Sequence, residues 1–222
     1  MLFGPAALPA LREAMADFCW LLDRGYASAS AVKLVGDRYR LAARQRTAVA
    51  RAACSQADRA RRQAHRVDMA GLIGRPLLLD GYNVLTTVEA AMAGGVILAA
   101  RDGTYRDMAS MHGTFRLVAE TRLALERIGR TAAGLGVSQC VWYLDRPVSN
   151  SGRLKTVMAE VAAPAGWQWT IELVSDPDAI LRTSDQVVAT ADSAVLDRCR
   201  AWFNLARETV ARHVLEAHVV EL

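Results

Sequence analysis

The chain has 222 residues, of which 52% are apolar and 23% charged. That is the makeup of a folded globular protein with one medium domain or a domain plus a helical appendage, and it excludes a disordered tail, a collagen-like fibre and a small disulfide scaffold. The net charge is only +4, yet of 27 basic residues two, Lys33 and Lys155, are lysines and the rest are arginines, the side chain that binds phosphate through a planar fork. No apolar run reaches the roughly 18 residues of a membrane span, and Met1-Leu2-Phe3-Gly4-Pro5 lacks the basic segment of a signal peptide, so no membrane association and a cytoplasmic location are expected. Cys19, Cys54, Cys140 and Cys199 lie too far apart for a zinc knuckle and read as reduced, buried thiols.

Residues 8 to about 70 read as helical. Leu11, Met15, Phe18 and Leu22 share a helical face, and Gly25 suits the stop. Ser28 or Ser30 would cap a second short helix through Val35, and a third helix would run from Leu41 to Met69. Gly71 to Pro76 then breaks the pattern, which places a boundary near residue 74: a helical N-terminal region over 1–74 and a second domain over 75–222.

The second domain alternates strands and helices. Leu77–Asp80 is a continuous apolar run of the kind buried on both faces of a parallel sheet. Val96-Ile97-Leu98, between glycine turns, suggests an inserted hairpin. A long helix is expected over Arg106–Leu135, a strand at Val141–Asp145, a short helix at Lys155–Ala163 stopped by Pro164, and a strand at Trp169–Val174. Another strand at Val187–Asp192, a last helix over Cys199–Ala217 and a tail strand at Val219-Val220 complete the reading. The fold class is α/β with a mainly parallel sheet, preceded by a helical region.

Three of these strands end in aspartate: Asp80, Asp145 and Asp192. Ligands of open parallel sheets bind beyond the carboxyl ends of the strands. Carboxylates delivered to one edge repel one another unless a cation sits among them, and an oxygen-only ligand set suits Mg²⁺ or Mn²⁺. Asp197, in the first turn of a following helix, would point back to the same edge. Tyr82 stands where a dehalogenase-type phosphatase needs a second aspartate, and Asp80-Gly81-Tyr82-Asn83 is no glycine-rich phosphate loop.

Leu78-Leu79-Asp80-Gly81-Tyr82-Asn83-Val84-Leu85 resembles the first strand of PIN-like nucleases, especially their NYN branch. Thr190-Ala191-Asp192-Ser193-Ala194-Val195-Leu196-Asp197 resembles the fourth-strand motif of that superfamily, and Trp142-Tyr143-Leu144-Asp145 its strand-two aspartate. The resemblance covers residues 75–200, and an Arg-rich helical segment ahead of such a core is similar to that of uncharacterised families in the same clan. It implies a three-layer α/β/α domain and a Mg²⁺- or Mn²⁺-dependent ribonuclease. Asp80, Asp192 and Asp197 would be metal ligands and Asp145 a ligand or a group just behind them. Asn83 would bond the scissile phosphate or a metal-bound water, and Ser193 would support the metal site. The helix-borne middle acid of many such enzymes has four candidates here, Glu120, Asp176, Asp178 and Asp185, and the choice stays open.

Two further stretches suit nucleic acid. Ser149, Asn150, Arg153 and Lys155 follow Asp145 and lead into a helix N-terminus, a ready anion site for substrate backbone. Arg38 to Arg66 carries nine arginines and one acid, Asp58, with Arg44, Arg51, Arg59 and Arg62 as candidate RNA contacts. The alternatives for that segment are a solvated helix face or pairing of its arginines with acids of the second domain. His112 reads as an ordinary helix residue. RNA is the expected partner and a homodimer is left open. The competing functions are a PIN-like nucleic-acid-binding module without catalysis and a phosphatase of small substrates.

Overall fold

The computed structural model describes residues 2–109 and 115–222. His112 lies outside the described residues. Four helices come first: α1 (Leu8–Leu22), α2 (Ser28–Arg38), α3 (Ala43–Ala52) and α4 (Gln56–His65). Then follow β1 (Pro76–Asp80), α5 (Gly81–Met92), β2 (Ile97–Ala99), β3 (Tyr105–Asp107), α6 (Thr121–Gly134), β4 (Gln139–Asp145) and α7 (Ser151–Ala165). β5 (Trp169–Val174), α8 (Pro177–Thr183), β6 (Val187–Ala189), α9 (Ser193–Leu196), β7 (Trp202–Phe203), α10 (Leu205–His213) and β8 (Val219–Glu221) complete the chain.

The main sheet has the order β5-β4-β1-β6-β7, all parallel. Strand side chains alternate in direction, so Leu77 and Leu79 face one layer and Leu78 the other. On the first side α5, α6, α7 and α10 bury Leu85, Leu125, Met158 and Val210 against Leu79, Trp142 and Val187. On the second, the short α8 and α9 pack Leu181, Val195 and Leu196 on Leu78, Val188 and Trp202. The result is a three-layer α/β/α domain. Burial on both faces explains why β1 reads as an uninterrupted apolar run.

The inserted hairpin forms: β2 pairs antiparallel with β3, and β8 adds to its other side in parallel. This small sheet joins the domain to the N-terminal helices, because Leu98 and Val220 share one core with Leu11, Phe18 and Val49. Among the described residues no helix is long and apolar enough to cross a membrane.

Several elements differ from the sequence expectation. The helix expected over Leu41–Met69 is two helices, because Ser55 takes extended backbone and its hydroxyl caps α4 by accepting from the Asp58 amide at 3.0 Å. The helix expected from Arg106 starts at Thr121, and Tyr105–Asp107 is strand instead, held by its pairing with β2. Ser151, not Lys155, opens α7, and Pro164 does not stop the helix but sits in its last turn, where it forgoes the bond to the Glu160 carbonyl one residue before the end, and Gly166 terminates the helix at φ 67°. The last helix begins only at Leu205, because Trp202-Phe203 pairs with β6.

Candidate functional site

The chain leaves β1 toward β4 and β5 on one side, then crosses back to β6 on the other. The crevice beyond the carboxyl ends of β1 and β6 is therefore the topological switch point, the place where open α/β sheets bind ligands. A polar cleft of about 470 Å³ lies there.

Five aspartates line it: Asp80 at the end of β1, Asp145 at the end of β4, Asp178 in α8 and Asp192 after β6 on one side, and Asp107 of β3 on the other. Asp80 is almost fully buried, and its Oδ2 accepts from the Thr190 hydroxyl at 2.7 Å. Thr190 Oγ1 in turn accepts from the Asp192 amide at 3.0 Å. Asp192 caps α9, its Oδ1 accepting from the amides of Ala194 at 2.7 Å and Val195 at 3.1 Å. Its Oδ2 has no donor among the described residues.

Asp80, Asp145 and Asp178 hold their protons more tightly than usual. Burial raises Asp80 to about 7, against the Thr190 hydroxyl and with help from the charges of Asp178 and Asp192. Burial, then Asp192, raises Asp178, with Arg182 opposing. Burial raises Asp145, with Asp176 adding to the effect. Burial is the main cause at all three, with repulsion from nearby carboxylates adding to it, and a cation bound at this edge would favour the charged forms.

The opposite wall comes from the other parts of the chain. Arg51 on α3 lines the cleft and donates from Nη1 to the Asp107 carbonyl at 2.7 Å. Asp107, on β3, is buried and accepts from the hydroxyls of Thr87 at 3.1 Å and Thr86 at 3.3 Å. Ser193 and Asn83 also line the cleft.

Asp197 needs correcting as a metal ligand. It follows α9 and faces away from the cleft, accepting from Arg62 Nε at 2.7 Å and Nη2 at 3.1 Å, with Arg61 at 3.0 Å. The short α9 turns its C-terminal end toward α4, and the paired guanidiniums consume both carboxylate oxygens. Arg62 needs correcting as a nucleic-acid contact for the same reason: it is buried, bridging Asp197 and Asp102. Arg44 and Arg59 are exposed on α3 and α4, outside the cleft.

Asn83 differs in part from expectation. Its Oδ1 accepts from the Ala191 amide at 2.8 Å, so one end of the side chain braces the loop that carries Asp192. Its Nδ2 has no acceptor among the described residues. Ser149, Asn150, Arg153 and Lys155 do not line the cleft. Asn150 instead donates to the Phe115 carbonyl at 2.9 Å, and the Phe115 amide donates to the Ser149 carbonyl at 3.3 Å. Arg153 and Lys155 project into solvent from the start of α7.

Of the four middle-acid candidates, only Asp178 lines the cleft. Asp176 caps α8 by accepting from the Ala179 amide, Asp185 pairs with Arg200 at 2.7 Å, and Glu120 precedes α6. The signal for Asp178 was present as Asp176-Pro177, a cap followed by proline at the first helical position, which places Asp178 in a first turn. Thr190 was visible only as part of the motif that leads to Asp192, and Arg106 and Asp107 carry no signal, because their roles depend on residues far along the chain.

Among the described residues no three His, Cys, Asp or Glu side chains stand close enough to hold a metal ion. The donor chemistry of the described cleft wall nevertheless suits a hard divalent cation: several negative charges, oxygen ligands, and among the described residues no sulfur or imidazole.

The family described as a domain of unknown function, DUF5616, matches residues 69–208, and the chain belongs to it. A second family, described as a protein of unknown function, DUF434, matches residues 10–65. An uncharacterised protein of Methanocaldococcus jannaschii is 26% identical over 186 residues, covering 84% of this chain and 88% of its own length. No solved structure matches the chain.

Proposed function

We propose that the chain is a divalent-metal-dependent nuclease that hydrolyses RNA phosphodiesters, with a PIN-like site. The observation that carries this reading is the gathering of Asp80, Asp145, Asp178 and Asp192 around one cleft at the sheet's switch point. The resemblance of the Asp80-Gly81-Tyr82-Asn83 and Thr190-Ala191-Asp192-Ser193 motifs to PIN-like nucleases supports it.

Asp80 and Asp192 would hold the cation with water filling most of its shell, as Mg²⁺ usually keeps it, and Asp178 and Asp145 would stand beside them, since no three such side chains among the described residues reach one ion. A bound Mg²⁺ or Mn²⁺ supplies an activated water and neutralises charge on a phosphoryl oxygen. The chain's own residues do the rest. Thr190 orients Asp80 through its hydroxyl. Asn83 Nδ2 is a donor for a phosphate oxygen, and Arg51 places positive charge on the facing wall. The acid-rich wall by itself repels a phosphate chain, so a cation bound there and Arg51 on the facing wall would meet the phosphate charge together.

The test is cleavage of labelled single-stranded RNA and DNA by the purified chain in Mg²⁺, Mn²⁺ or chelator. Asp80→Asn and Asp178→Asn are expected to lose about 100-fold or more in rate. Asp185→Asn, close in sequence to Asp178 but outside the cleft, is expected to keep full activity. Cleavage unaffected by Asp80→Asn would overturn the assignment. Salt-sensitive RNA binding without cleavage in any metal would make the chain a binding module, and turnover of mononucleotides alone would make it a phosphatase.

A further inference from the structure

Ala191, the residue between Thr190 and Asp192, is held at both ends of its backbone. Its amide donates to Asn83 Oδ1 at 2.8 Å, and its carbonyl accepts from Arg106 Nε at 2.8 Å. Arg106 lies on β3 of the small sheet, in a different layer from β6. Its guanidinium is nearly buried and has two more partners: the Arg51 carbonyl at the end of α3, and Asp102 Oδ2 at 2.7 Å.

Asp102 is fully buried and fully satisfied. It accepts from Arg62 Nη1 at 2.6 Å and from the Thr104 hydroxyl and amide at 2.7 and 3.1 Å. Burial pushes its pKa up, but Arg106, Thr104 and Arg62 outweigh that and hold it below the ordinary carboxylate value. Arg62 then grips Asp197 with two nitrogens, and Asp197 meets Arg61. One chain of alternating charges therefore runs from α4 of the N-terminal region, through the hairpin, to the loop that carries Asp192.

We propose that Arg106 is a positioning residue: it clamps the Ala191 carbonyl and ties the placement of Asp192 to the N-terminal helices, which complete the site as structural members. The catalytic part rests on the nuclease reading above, and the loop-holding part does not. Only an arginine serves three acceptors in different directions from one planar group. Lysine at this position keeps the charge beside Asp102 but cannot reach Ala191, Arg51 and Asp102 together.

The experiment compares the full chain and Arg106→Lys. Backbone amide exchange of residues 190–195 is read by mass spectrometry in metal-free protein, and RNA cleavage is measured on the same preparations. Exchange in that segment is expected to speed up by about tenfold, with β1 and β4 unchanged. The kcat is expected to fall on the order of 10–100-fold while KM moves far less. Unchanged exchange overturns the proposal. Faster exchange with unchanged kcat also overturns it, since the loop would then be held for folding alone. Faster exchange in a chain whose wild type cleaves no RNA would remove the nuclease reading and leave the clamp standing. Should Arg106→Lys fail to fold, Arg106→Met/Asp102→Asn removes the Arg106–Asp102 charge pair while keeping an amide oxygen to accept from Arg62 Nη1, and carries the same test. Failure of that variant to fold as well would assign Arg106 to overall stability and overturn the proposal.

Discussion

Asp80 is the residue on which burial and function pull in opposite directions. Its carboxyl is raised to about 7 by burial, eased by Thr190 and aggravated by Asp178 and Asp192. Glu89, buried on α5 against the Thr121 hydroxyl, is likewise raised to about 7 by burial. Both acids bind a proton more tightly folded than unfolded. Their contribution to stability is therefore fully present below the ordinary carboxylate range near pH 4 and is lost as pH rises through about 7. The melting temperature of the metal-free chain is expected to fall between pH 5 and pH 8. Asp80→Asn, which keeps an acceptor for Thr190, should therefore recover more stability at pH 8 than at pH 5, the gap opening as pH rises from about 4 to about 7. Thermal melts of both proteins in chelator check this. An equal fall in wild type and variant would mean that Asp80 is not held protonated by its surroundings. The aspartates at the strand ends were legible in the sequence because a buried strand that stops in a charge is conspicuous. Asp197 was misleading because spacing alone says nothing of which end of a four-residue helix faces which layer.

At the scale of elements, Gly81 decides how close α5 comes to β4. A Cβ there would lie 2.8 Å from the Tyr143 carbonyl and 2.5 Å from Leu144 Cδ2, and the carbonyl is backbone that cannot step aside. The glycine of the Asp80-Gly81-Tyr82-Asn83 motif thus lets the helix start directly at the end of β1, which places Asn83 over Ala191. Gly81→Ala is expected to cost about 1–3 kcal/mol, read as a lower urea midpoint, and to weaken the proposed RNA cleavage beyond the loss of stability. A substitution that left both unchanged would show that the strand and helix have slack. The buried strands were legible as apolar runs, and the hairpin through its flanking glycines. The break at Ser55 and the late start of α10 were not. Ser55 sits in an arginine- and alanine-rich stretch whose propensity stays helical on both sides. Trp202-Phe203 fits helical spacing with Leu205 and Val210, and a two-residue strand has no periodicity of its own.

At the scale of the whole molecule, the arginines of the N-terminal region divide into two populations. Arg62 is buried in the charge chain, and Arg51 faces the cleft, while Arg44 and Arg59 stand in solvent. Breaking a buried pair leaves an uncompensated charge, at a cost of about 3–5 kcal/mol, whereas exposed substitutions stay within about 0.5 kcal/mol. Urea unfolding of Arg62→Ala against Arg44→Ala and Arg59→Ala is therefore expected to separate them widely. Similar small losses for all three would mean that the N-terminal helices are held by their apolar core with Leu98 and Val220 alone. A run of nine arginines in sequence shows charge but not partner. Which of them meet acids of the second domain becomes visible only once α4 lies against α9.

The most direct test of the central claim is calorimetric titration of Mn²⁺ into the wild-type chain and into Asp80→Asn/Asp192→Asn. The expected result is saturable binding by the wild type that the double substitution abolishes, with both proteins folded. No binding by the wild type, in the presence or absence of single-stranded RNA, or equal binding by the double variant, would contradict it and leave the strand-end aspartates as structural caps.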